Sequence, residues 1–146
     1  MLWLILMVAL AAPPAEIPAA IAVYVKKTGP EGLTDPDKGR VTSINDLTAR
    51  LAMAKGIRLV RTPEEAVVVV QVLARQAHDE RSLMWGATRN NTLTVRVTAG
   101  EFSAELEGKS QGIIGGMAAA AGKVVKQLEA WVKTNHDKLL EMAPKQ

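Results

Sequence analysis

The alternation of apolar and polar positions divides the chain into a short series of elements. Ile21-Ala22-Val23-Tyr24-Val25 is apolar on both faces and predicts a central strand. Residues 26–40 are polar and dense in turn formers, and predict a loop. Ser43 stands in N-cap position with Asp46 three residues on, as in a capping box. Ile44, Leu47, Leu51 and Ala54 follow at helical spacings, and Gly56 is the expected stop. A strand is predicted over 57–61, then a single turn at Thr62-Pro63-Glu64-Glu65 with Pro at the first helical position. The valine run 67–70 continues to Leu73 and predicts a strand, since β-branched side chains lose rotamer freedom in a helix. His78 to Asn91 reads as a polar loop carrying Met84 and Trp85. Beyond it, Leu93, Val95 and Val97 alternate with Thr92, Thr94, Arg96 and Thr98. After Ala99-Gly100, Phe102, Ala104 and Leu106 alternate with Glu101, Ser103, Glu105 and Glu107, which completes a hairpin with one buried and one wet face. Ala121, Val124, Val125, Leu128, Trp131, Val132, Asn135 and Leu139 keep helical spacing and predict one closing helix over about 117–142.

This order predicts a single α+β domain over residues 21–142. Its sheet is mixed, with about five strands, and its two helices pack on one face. Ahead of it, residues 1–12 are apolar throughout, end in small residues, and are followed by Pro13-Pro14. The run is shorter than the roughly 20 residues that span a bilayer and reads as a signal peptide, with cleavage after Ala11 or Ala12. No Lys or Arg precedes it, and a buried N-terminal helix or an uncleaved anchor are the alternatives for the same run. Residues 13–20 form a proline-rich leader.

Composition narrows the chemistry. The chain has 146 residues, of which 48% are apolar, a figure raised by residues 1–12. Cysteine is absent, which excludes disulfides, thiolate zinc sites, a cysteine nucleophile and a lipidated N-terminal cysteine. The excess of Lys and Arg, 18 against 15 Asp and Glu, is spread along the chain without a patch or motif of the kind that nucleic-acid binders carry. Gly122-Lys123 and Gly108-Lys109-Ser110 fail as phosphate loops, because Met117 and Ser103 stand where the first glycine is required.

Three further constellations have a structural and a functional reading. Gly108, Gly112, Gly116 and Ala120 recur every fourth residue, which suits either close packing of a helix start on the sheet or self-association. His78-Asp79-Glu80 and His136-Asp137 hold metal-ligand residue types, but neighbours on a continuing strand point to opposite faces. Asn90-Asn91-Thr92 is a glycosylation sequon, meaningful in a eukaryotic source. No catalytic, cofactor-binding or metal-binding residue is assigned, and no cofactor is expected.

The rhythm from Leu47-Thr48-Ala49-Arg50-Leu51 through Gly56-Ile57-Arg58-Leu59-Val60-Arg61 to Thr62-Pro63-Glu64-Glu65-Ala66-Val67 is a helix ended at a glycine, a short strand and a turn that launches a valine-rich strand. It resembles the small bacterial envelope domains at the N-terminus of TolB and in CsgG-like assembly proteins, over about residues 21–73. The resemblance implies an envelope-located, non-catalytic binding or assembly module, periplasmic or secreted. Its expected partner is another envelope protein or itself, without nucleic acid and without a membrane span once the signal is removed. The competing expectation is a small metal-dependent hydrolase using the His78-Asp79-Glu80 region.

Overall fold

The computed structural model describes residues 19–29, 37–82, 86–111 and 116–143. Strands β1 (Ile21–Val25), β2 (Ile57–Leu59), β3 (Val68–Ser82), β4 (Gly86–Ala99) and β5 (Phe102–Gln111) form one sheet in the order β2-β1-β3-β4-β5. The first three are mutually parallel, and β3-β4-β5 is an antiparallel meander, so the sheet is mixed as expected. β1 is central, and helix α1 (Lys38–Leu51) carries the chain from it to its parallel neighbour β2. Helix α2 (Gly116–Thr134) packs beside α1 over β4 and β5, and α3 (His136–Met142) closes the chain.

One face of the sheet supplies the core. Val23, Val25, Val68, Val70, Val72, Leu93, Val95 and Val97 meet Leu47 and Leu51 of α1 and Val124 and Leu128 of α2 in one buried cluster. The other face is wetter: Arg96 of β4 bonds Glu105 of β5 across the strands at 3.2 Å. The signal-like run 1–12 and most of the leader lie outside the described residues.

Four expectations need correction. Helix α1 starts five residues before Ser43, capped by Asp37, whose carboxylate accepts from the amides of Gly39 (2.8 Å) and Arg40 (3.3 Å). Ser43 is buried inside the helix with its hydroxyl unpaired. Gly56 does not cap α1; it takes φ +74° in the turn before β2, and the helix ends at Leu51. The closing helix is two helices, broken at Asn135, whose side-chain amide donates to the carbonyl of Trp131 (2.8 Å).

The fourth correction is the largest. The expected loop 78–91 is a continuous hairpin: β3 runs on to Ser82 and β4 begins at Gly86. The register shifts between Val72 and Ala74, so Leu73 is the extra residue of a β-bulge. The bulge inverts the phase. Before it Val68, Val70 and Val72 face the helices, and after it Arg75, opposite buried Leu93, takes that face. Its guanidinium reaches Gly39 in the first turn of α1.

Candidate functional site

The strand directions bring several chain segments to one end of the sheet. β1, β2, β3 and β5 start there, β4 ends there, and α1 and α2 descend to it. The descent of α2 is fixed by Ser110 donating to the carbonyl of Gly116 (2.6 Å) and Gln127 to that of Glu107 (2.8 Å). The start of β1 is tied at the same end: Ile21 N–H donates to Gly56 (2.9 Å), and His136 Nε2 lies 2.8 Å from the carbonyl oxygen of Ala19. A carbonyl only accepts, so Nε2 carries the proton in this contact. Lys138 Nζ sits 5.4 Å from the centre of the Phe102 ring, which joins α3 to the β4–β5 turn.

Two concavities open at this end. The larger, about 940 Å³, lies between the Lys55-Gly56 turn and the α2–α3 corner. Ala130 and buried Val132 form part of its wall, and exposed Lys55, Lys126 and Lys133 stand around it. The smaller, about 330 Å³, is lined by Ala20, Ala22, Arg58, Glu64, Glu65 and Leu140. Glu129 and Asp137 line the larger one as well, so its mouth carries both signs of charge around a partly apolar wall, which suits an amphiphilic partner. Lys126 and Lys133 are two turns apart on one face of α2, a spacing visible in the sequence, whereas their meeting with Lys55 is a product of the tertiary fold.

The sequence constellations fall elsewhere. His78 and Asp79 are consecutive in β3, paired with Asn90 and Arg89, and therefore point to opposite faces. Asp79 has Arg89 as a loose, exposed ion-pair partner at 3.8 Å. Among the described residues no three His, Asp or Glu side chains gather as a metal site. His136 and Asp137 do adjoin the larger cleft, with Nδ1 3.9 Å from the Asp137 carboxylate. Asn90 and Asn91 lie within β4 between two strands, with Asn91 buried and the side-chain oxygen of Asn90 buried, which is no site for a glycan. Gly108 and Ala120 serve packing within the chain, since a Cβ on Gly108 would strike the Ala120 carbonyl, whereas Gly116 has open space around it and takes φ +43°. Gly112 lies outside the described residues, as do Met84 and Trp85.

No described helix is long and apolar enough to cross a membrane. No family model matches the chain, and no curated protein matches it. Among solved structures it is similar to a hypothetical protein from Chlamydia trachomatis, at TM-score 0.51 and 11% identity, over 79% of this chain and 99% of that one. It is also similar to uncharacterized lipoprotein B from Nitrosomonas europaea (TM-score 0.48, 12% identity, 88% of this chain and 96% of that one). A minor lipoprotein from Acinetobacter baumannii scores likewise (TM-score 0.48, 11% identity, 80% and 94%). The likeness at TM-score 0.51 is one of fold, an α+β arrangement.

Proposed function

We propose that the chain is an exported, periplasmic or secreted module that binds or scaffolds another component of the cell envelope without catalysing a reaction. The observation that carries this reading is the cleft of about 940 Å³ with Ala130 and Val132 in its wall and Lys55, Lys126 and Lys133, together with Glu129 and Asp137, around it. A concavity of this kind takes up a partner's side chains, and its titratable groups are spaced around the mouth instead of converging on a reacting atom. The signal-like residues 1–12 supply the address, and the rhythm of residues 47–70 supports a role of the TolB N-terminal or CsgG-like kind. Fractionation of cells expressing the whole chain tests the address: processed protein outside the cytoplasm is expected, and unprocessed protein in the cytoplasm overturns it. In-cell crosslinking tests the cleft. A discrete adduct is expected from the native chain and is lost from Lys126→Glu/Lys133→Glu; an adduct pattern that the charge reversal leaves unchanged overturns the role of the cleft.

A further inference from the structure

The two edges of the sheet are unequal. On one side β2 ends it with three residues, and on the other β5 presents ten. Long edge strands are usually blunted by proline, by a bulge or by a covering element. β5 has no proline, and its ladder with β4 runs without a register shift from Phe102 to Gln111. Among the described residues no strand lies beyond it. Ala99 and Phe102 flank a two-residue turn, and in such a hairpin the flanking pair exchanges hydrogen bonds. The alternate residues Ser103, Glu105, Glu107, Lys109 and Gln111 therefore turn their backbone N–H and C=O groups away from β4. The bond from Gln127 Nε2 to the Glu107 carbonyl (2.8 Å) agrees with that phase. The oxygen keeps a second lone pair and the glutamine is exposed, so this contact occupies one point of the edge without sealing it.

The side chains of the same residues are exposed on the wet face, and their charges are matched within the chain. Arg96 bonds Glu105 (3.2 Å) and Lys109 bonds Glu107 (3.0 Å). The edge therefore offers little net repulsion to another strand. Its order of charges also selects the strand that fits. Antiparallel pairing with β5 of a second copy, about a twofold axis at Gly108, sets Glu107 of each copy opposite Lys109 of the other. It also sets Glu105 opposite Gln111, and no charge meets its like. An axis at Glu107 keeps Glu105 opposite Lys109 but brings Glu107 against itself at the centre. An axis at Leu106 sets Glu105 opposite Glu107, and one at Lys109 brings the two lysines together. Opposite charges directly across a ladder attract and like charges destabilise it, which favours the Gly108 register. A twofold axis repeats each favourable pair on both sides, as self-complementary interfaces do.

We propose that β5 is a self-association edge, through which two copies join antiparallel about Gly108 into one continuous sheet. This surface is separate from the cleft and does not depend on what the cleft binds. Sedimentation velocity of the full chain over a range of concentrations is expected to show a monomer–dimer equilibrium. Lys109→Glu places Glu opposite Glu on both sides of the axis and is expected to weaken the dimer about tenfold. Glu107→Lys/Lys109→Glu keeps the native net charge and is expected to restore it. Both positions are exposed, so neither change touches the core. The absence of cysteine lets single spin labels at Ser103→Cys and Gln111→Cys read the register. The two copies of position 103 are expected about 34 Å apart along the seam, and those of position 111 about 20 Å. A chain that stays monomeric at every concentration overturns the proposal, and leaves the edge to a strand of another protein or to none. A dimer that Lys109→Glu leaves intact, or that the double exchange fails to restore, also overturns it. Equal separations at the two labels overturn the Gly108 register and move the axis to Glu107.

Discussion

Gly108 of β5 lies directly against the backbone carbonyl of Ala120 in α2, and no side chain fits between them. A Cβ there would also come within 2.9 Å of Val124 Cγ2, so both obstacles belong to the packed face of the helix. Gly108→Ala is therefore expected to destabilise the protein by about 1–3 kcal/mol, as overpacking does. Thermal unfolding checks it; an unchanged midpoint would mean that α2 sits further from the sheet.

The start of α1 offers a paired test. Asp37→Ala removes a cap and is expected to cost about 1 kcal/mol. Ser43→Ala removes a buried hydroxyl that has no partner, and is expected to be neutral or to stabilise by up to about 1 kcal/mol. Urea denaturation separates the two, and the opposite order would restore Ser43 as the cap.

Gly100 takes φ +57° in the two-residue connection between Ala99 and Phe102. A Cβ at Gly100 meets only Met142, at 3.7 Å, an ordinary contact, so space is available and the backbone alone resists. Gly100→Ala is expected to cost about 1–2 kcal/mol. Calorimetry that finds no loss would place this turn in a different conformation.

Deletion of Leu73 tests the bulge. Because Val72 pairs with Val95 and Ala74 with Thr94, removing the residue between them leaves a regular ladder with every other pair intact. Cross-strand NOEs between Arg75 and Leu93 are expected to survive, with a stability loss below about 2 kcal/mol for the half-buried leucine. Loss of those contacts would show that the bulge sets the register of the outer hairpin.

The bulge also explains where the sequence stopped being legible. Alternation is readable only while its phase is constant, and Leu73-Ala74 shifts it by one just as the helices cease to cover the sheet. His78 and Asp79 then look like loop because their ladder with Asn90 and Arg89 has little apolar burial to advertise it. Where a helix lies over the strand, pattern and structure agree: Leu93, Val95 and Val97 are buried, and the acidic and basic outer positions meet as Arg96 and Glu105. The cap failed for a different reason. Asp37 and Ser43 both have capping chemistry, and the apolar stripe from Ile44 favoured the later one, although α1 carries a polar first turn. The cleft lysines were readable as a surface stripe on α2, but Lys55 joins them only through the fold.

The mixed sheet carries a consequence for the order of assembly. β3, β4 and β5 find one another through short connections, so the meander closes with little loop entropy. β1 pairs with β3 across the whole intervening α1–β2 unit, Val23 meeting Val68. In a chain threaded from its N-terminus, the strand that emerges first is the one whose partner arrives late. Until then the edge of Ile21 to Val25 that β3 covers stays open, and that interval is when the chain is most exposed to misassociation.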